Sequence, residues 1–206
     1  LGQNWKLARV SIKPHASCRS THAAIDAVDN LRAAHGFTAD DVEEVRVIIN
    51  PFVYGMCGHS TLHPMNSAQL SIPYSVAADL VFGSAGLPSF ARTKRNDPRV
   101  AEMMARVKFT VDKTQKDDDE PIVVVTLKDG RSWQEHVPMP LGAPTNPVTD
   151  EALLKKFKGV VGMVFTEEET DKLADTLMAL EKVADFKVEV AGLLARKPRT
   201  REAFDA

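Results

Sequence analysis

Cysteine is scarce in this chain: there are two in 206 residues, Cys18 and Cys57. Two thiols exclude a disulfide scaffold and match no zinc spacing, so reduced thiols in a cytoplasmic protein are expected. Long apolar runs are missing as well. Nothing approaches the roughly 20 residues that a membrane-spanning helix requires, and no signal-peptide pattern is visible, so no membrane partner is expected. An excess of one charge is also lacking. Lys and Arg number 26 against 28 Asp and Glu, a formal net charge of −2, which provides no broad electrostatic footprint for nucleic acid. Small anions stay admissible, because a few local cations suffice to bind them. There is no internal repeat. What remains is ordinary: 44% apolar and 26% charged residues describe a globular protein with ample length for a core, as one large domain or one and a half smaller ones. The chain opens Leu1-Gly2 rather than with Met, which points to a segment removed upstream.

Along the chain, Leu7 to Lys13 alternates loosely and predicts a short strand stopped by Pro14. Ser17, Ser20 or Thr21 can cap the helix that follows, whose apolar positions Ala24, Val28, Leu31 and Ala34 keep helical spacing up to a stop at Gly36. Val42 to Ile49 is a β-rich run ended by Asn50-Pro51, and Phe52 to Met65 reads as a loop rich in Gly, Cys and His. A second helix is expected from about Ser67 to Phe82, with Pro73 a candidate for its true start, and a third from Pro98 to Arg106. Val107–Val111, Ile122–Leu127 and Trp133–Val137 read as strands, the last two joined by a hairpin at Asp129-Gly130. Lys116 to Glu120 reads as a solvated acidic loop, since nothing spaces its carboxylates for a metal. A break with prolines 138, 140, 144 and 147 follows, and beyond it only helices are expected: one from Thr149 or Asp150 to Phe157, one from the capping box at Thr166 to about Val183, and a last turn or two from Phe186 to Leu194 before a charged tail that frays. This order predicts an α+β fold with a small antiparallel or mixed sheet.

Chemically capable side chains crowd the stretch from Lys13 to His22. Lys13 at a strand end can neutralise a substrate carboxylate or deliver a proton, or it is a lysine in water. Cys18 and His22, four apart, share a helix face and suggest a thiolate nucleophile or half a metal site; the plain alternative is a small buried cysteine with a polar neighbour. Asp26, one turn on, can orient His22. Tyr54, followed by Gly55 and Gly58, can offer its phenol to a carboxylate or carry a proton. Gln69 and Ser71 can bind an anion at a helix start, or simply cap it. Cys57, His59 and His63 fit no established zinc or cluster spacing.

In order and spacing, several motifs together resemble the C-terminal part of the MmgE/PrpD family, dehydratases, decarboxylases and epimerases of small di- and tricarboxylic acids. They are Leu1-Gly2 with Trp5, Lys13-Pro14 with Cys18, Thr21-His22 and Ile25-Asp26-Ala27, the run from Val45 to Tyr54, Ala68-Gln69-x-Ser71-x-x-Tyr74-x-x-Ala77, Pro140-x-Gly142-x-Pro144-x-Asn146-Pro147, and Lys155-Lys156-Phe157. The likeness spans the chain to about Phe157 and is looser beyond. It implies a two-part enzyme: residues 1–143 would form an α+β lid, and residues 144–206 would be helices that complete an all-helical domain supplied by missing upstream sequence. It implies catalysis without metal or cofactor, and a homodimer when the protein is complete. Lys13, Tyr54 and His22 would be catalytic, and Lys13, Cys18, Gln69 and Ser71 would bind substrate. Cys18 falls where some relatives have histidine, and the aspartate and further histidines of the helical domain are not in this chain.

The expected activity is that of a lyase or isomerase, 2-methylcitrate dehydratase-like and so tied to propionate metabolism, moving a proton next to a carboxylate. The chain alone is expected to be inactive, because half the site is missing. The alternatives are a non-catalytic binding or assembly module that presents its C-terminal helices, and a zinc hydrolase built on Cys57, His59 and His63.

Overall fold

The computed structural model describes residues 2–195. Their contacts divide the chain into two compact units, one running through Val148 and one starting at Thr149.

In the first unit, strand β1 (Val42–Ile49) alternates as its sequence suggests: Val45, Val47 and Ile49 are buried, while Glu44, Arg46 and Ile48 are half-buried on the other face. It sits inside a four-stranded sheet of order β2-β1-β3-β4, made with β2 (Val107–Val111), β3 (Ile122–Leu127) and β4 (Ser132–His136). β1 runs parallel to β2, with Val47 opposite Phe109, and antiparallel to β3, with Val47 opposite Val123. The β3–β4 hairpin turns at Asp129-Gly130, where Gly130 takes a φ of 88° that a side chain would resist. The sheet is mixed and the fold is α+β.

Helix α1 (Arg19–His35) packs against β3 and β4 and also against α4 (Ile72–Phe82). Covered by both, it is buried at every position from Thr21 to Val28. Its end is set by Gly36, left-handed at φ 68°. The long connection from β1 to β2 carries α2 (Pro51–Cys57), α3 (Met65–Gln69), α4, α5 (Arg92–Arg95) and α6 (Pro98–Arg106). The acidic stretch at 116–120 is a turn whose Asp117, Asp118 and Asp119 are exposed, while Glu120 pairs with Arg19 at 2.9 Å.

Three expectations are corrected. Leu7 to Lys13 is no strand: Lys6–Arg9 forms a 3-10 turn, and Ile12 N donates to Gly142 O at 2.8 Å rather than to a sheet edge. Alternation without a neighbouring strand gives no strand. Phe52 to Cys57 is helix rather than loop, because Asn50 accepts from Val53 N at 2.8 Å and Pro51 occupies the first turn. The Asn-Pro pair that ends β1 also starts α2. The second helix is broken at Leu70-Ser71 into α3 and α4, with Pro73 in the first turn of α4.

The second unit is helical in its described part. Helix α7 (Asp150–Val161) starts at the Thr149 cap and extends past the expected end at Phe157. Helix α8 (Glu167–Met178) begins on the Thr166–Glu169 capping box but stops short of Val183, giving way to a 3-10 turn at Leu180–Lys182. A π-helical turn, Lys187–Ala191, leads into α9 (Gly192–Leu194). Most of the tail expected to fray lies outside the described residues. Among the described residues no helix is long and apolar enough to cross a membrane.

Candidate active site

The chain before α1 curls around one carbonyl. Lys13 Nζ donates to Ser17 O at 3.2 Å, and His22 Nε2 lies 3.4 Å from the same oxygen. Ser17 and Thr21 share a hydroxyl bond of 2.7 Å, and Thr21 Oγ1 returns to Cys18 O at 2.9 Å. Two outside segments hold this loop. From α3, Gln69 Nε2 donates to Ala16 O at 2.7 Å and Gln69 O accepts Cys18 N at 2.8 Å. From the proline-rich segment, Gly142 comes so close that a Cβ there would lie 1.8 Å from Ile12 O. Only glycine admits that approach, and its φ of 89° is a second reason for it.

His15 and Asp26 lock the far side. His15 Nε2 and Asp26 Oδ1 are 2.8 Å apart, and Asp26 Oδ2 accepts Leu141 N at 2.7 Å. The expected partnership of Asp26 with His22 is thus replaced by one with His15, whose ring meets His22 edge-on at 5.0 Å. His22 is fully buried, and its Nδ1 has no hydrogen-bond partner. Burial, reinforced by the neighbouring His15, lowers its pKa to about 4, so the ring is neutral near pH 7.

Cys18 occupies the N-cap position of α1 and is only partly covered, while Cys57, the last residue of α2, is fully buried. The Cys57 thiol, with lesser help from Ser20 and Lys13, lowers the Cys18 thiol to about 5 despite partial burial. The Cys18 thiol, together with burial, drives Cys57 upward. Position supports this division: Cys18 has the positive end of a long helix and an ammonium nearby, and Cys57 has neither.

Tyr54 lies on α2 one turn before Cys57, 41% exposed, with its ring edge-on to Phe109 at 5.2 Å. Ser71 is fully buried: it caps α4 by accepting Tyr74 N at 3.2 Å and donates to His59 O at 2.6 Å. Lys13 and Cys18 therefore belong to one loop that Gln69 clamps, His22 reaches that loop from α1, Tyr54 stands on α2, and Ser71 works inside the fold. His59 and His63 are engaged elsewhere, His59 Nδ1 with Thr61 N and His63 with Arg95 and Asn96. Among the described residues no three metal-ligating side chains gather. The His15–Asp26 and Cys18–Cys57 pairs escaped sequence reading, because no local spacing rule links positions so far apart.

A family model described as the MmgE/PrpD C-terminal domain matches residues 15–182, from the loop just described to the end of the 3-10 turn after α8. The chain belongs to this family. Among its curated relatives are a cis-aconitate decarboxylase-like protein of Aspergillus oryzae, 25% identical over 203 residues, covering 90% of this chain and 40% of the relative. A cis-aconitate decarboxylase of Aspergillus terreus is 25% identical over 200 residues, covering 90% and 41%. The cis-aconitate decarboxylase of Mus musculus is 25% identical over 155 residues, covering 74% and 31%. The chain thus spans about two fifths of the length of the first relatives it matches. As an MmgE/PrpD C-terminal domain it carries a cysteine pair and a histidine–aspartate pair around the loop where its family match begins.

Proposed function

We propose that this chain is the lid-side half of a lyase, or of an isomerase, that moves a proton at a carbon next to a carboxylate of a small di- or tricarboxylic acid. The observation that carries this reading is the convergence of the Lys13 ammonium and the Cys18 thiol on one braced loop. Removing a proton beside a carboxylate builds negative charge next to charge already present. A fixed ammonium lowers that barrier, and Lys13 supplies one. A thiol of depressed pKa is ionised at neutral pH and can take the proton; protonated, it can return one to the product carbon. Cys18 thereby fills the place that the resemblance gives to histidine in some relatives. The Tyr54 phenol, on the helix that ends at Cys57, is a further donor to a substrate carboxylate. His22, being fully buried, acts through Ser17 O, keeping Lys13 and Cys18 in register rather than touching the substrate. Gln69 does the same from α3.

The family kinship and the decarboxylase names of the relatives support lyase chemistry. Both 2-methylcitrate dehydration, expected from the resemblance, and cis-aconitate decarboxylation use this proton step, and both substrates are polycarboxylates. Residues through about 143 would close over the acid, and the helices beyond would join an upstream helical domain in a cytoplasmic homodimer. The test uses the complete protein with 2-methylcitrate, citrate and cis-aconitate. Lys13→Ala is expected to lower kcat about 100-fold, the scale of losing one fixed charge-stabilising group, and Tyr54→Phe less. Turnover within two-fold of the parent in both variants would replace this reading with that of a non-catalytic assembly module. Robust turnover by residues 1–206 alone would show that no upstream half is needed.

A further inference from the structure

Two histidine rings meet near the start of α1, His15 and His22, with centroids 5.0 Å apart. Their Nδ1 atoms differ. His22 Nδ1 is sealed in the core without a partner. The His15 side chain stays 12% exposed, and its Nδ1, which makes no hydrogen bond among the described residues, is not sealed. The other His15 nitrogen is committed: Nε2 and Asp26 Oδ1 are 2.8 Å apart, and Asp26 Oδ2 accepts Leu141 N at 2.7 Å. A carboxylate only accepts, so the imidazole proton sits on Nε2 and the lone pair on Nδ1. Asp26 thus fixes the tautomer and stands ready to balance the charge of an imidazolium. The pair belongs to the loop of Lys13, whose Nζ shares Ser17 O with His22 Nε2, at 3.2 and 3.4 Å. A latch between loop and helix needs only a hydrogen-bond donor. An imidazole held by a buried carboxylate, with its second nitrogen open, is what proton transfer needs.

We propose that His15, oriented by Asp26, is a second acid–base residue of the reaction proposed above, and its role rests on that reading. The Nδ1 lone pair accepts a proton from the substrate. The N–H bond forms, the bond from that proton to the substrate breaks, and the electron pair stays on the substrate. The resulting imidazolium keeps its Nε2–H on Asp26 and gives the Nδ1 proton to the leaving hydroxyl or to the product carbon, which restores the neutral ring. No oxidant or further reactant enters. A dehydration both removes a proton and supplies one, which takes two such groups or one used twice. With Cys18 and His15, this loop holds two.

The tautomer is tested in the chain itself. Long-range nitrogen–proton NMR spectra, taken where the ring is neutral, should show His15 in the Nε2–H form; the Nδ1–H form would overturn the proposal. Catalysis is tested in the complete protein with 2-methylcitrate, citrate and cis-aconitate. His15→Ala should lower kcat about 100-fold, the lower end of what a positioned acid–base group contributes, with little change in KM. Added imidazole should restore its turnover with a saturating concentration dependence, a response that a purely structural defect does not give. His15→Gln keeps a donor for Asp26 but carries no proton. It should unfold at the parent's urea midpoint, turn over as slowly as the alanine variant, and resist imidazole rescue. Turnover of His15→Gln within about two-fold of the parent would reduce His15 to a latch and overturn the proposal, as would an alanine variant that imidazole does not restore. Lys13→Ala separates the two readings. If Lys13→Ala is slow and His15→Gln is not, only the role of His15 falls. If Lys13→Ala, Tyr54→Phe and His15→Gln all keep the parent's turnover, the function proposed above falls and takes this role with it.

Discussion

Helix α1, in the unit that ends at Val148, buries nine of its seventeen residues, whereas α7, in the unit that starts at Thr149, buries none. Both are regular helices, but different forces hold them. α1 is fixed by apolar area removed from water on two sides, worth roughly 25 cal/mol per Å². α7 rests on local devices, which α8 shares although it also buries Leu173 and Ala174: the Thr149 and Thr166 caps, acidic residues in the first turns, and a surface pair between Lys158 and Asp171 at 2.7 Å. An exposed pair of that kind contributes little, because water and salt screen it. The second unit also leaves Phe186 at 58% and Val188 at 68% exposure. Isolated helices of such length are marginal in water, so within this chain the second unit leans on local signals where the first leans on its core.

The largest effect should come from cutting into the deeper core. Ile49 is fully buried in β1, and Ile49→Ala should cost about 3 kcal/mol. Trp5 and Trp133 both precede Val148, so urea unfolding followed by tryptophan fluorescence reads this unit. Leu153→Ala, at a half-buried site in α7, should cost less than about 1 kcal/mol, read from amide exchange along that helix. Equal losses at the two sites would dissolve the contrast.

The second test uses buried charge, which the described residues show only in the first unit. Asp79 is almost fully buried in α4, and burial, with Asp29 nearby, raises its pKa to about 8 although Arg32 lies at 3.2 Å. The folded state then keeps a proton that the unfolded chain has lost above about pH 4, so the contribution of Asp79 to stability falls as pH rises from about 4 to about 8. His22 has the opposite sign: its lowered pKa, about 4 against 6.5, means stability lost as pH drops through that window. The two slopes oppose each other below pH 6.5, and only the Asp79 decline remains from there to about 8. Asp79→Asn should therefore gain on the parent as pH rises, by at most about 1.4 kcal/mol per pH unit. A difference between parent and variant that does not change between pH 5 and 8 would mean that Asp79 is already ionised in the fold.

Which features were legible follows the same divide between local and distant. The Gly36 stop, the Asp129-Gly130 hairpin, the β-rich run of β1 and the Thr166 capping box are each written within a few neighbouring residues, and each is present. The strand expected at Leu7 to Lys13 depended on a neighbour that sequence cannot supply. Helix α2 was hidden because Asn50-Pro51 serves as a stop and a start at once. At the site, Lys13, Cys18 and His22 were visible as a cluster through proximity in sequence alone. The partners that give them character were not: Cys57 for Cys18, His15 for Asp26, Gln69 for the loop backbone. Those depend on α1, α2 and α3 meeting, which is a product of the core.

A further small effect concerns the local devices themselves. Thr166 Oγ1 accepts Glu169 N at 3.1 Å, and Glu169 Oε2 accepts Thr166 N at 3.0 Å, which satisfies two backbone donors at the start of α8. Thr166→Ala removes one half of this exchange and should cost about 1 kcal/mol, or about five-fold faster amide exchange in the first turn of α8. Thr166→Ser keeps the acceptor and should stay near the parent. Ser71 caps α4 in the same manner, but its hydroxyl also holds His59 O inside the core, so Ser71→Ala should cost more than loss of the half-buried cap at Thr166 does. If Thr166→Ala left exchange at the start of α8 unchanged, that helix would owe its first turn to packing, and the second unit would be held by the same force as the first.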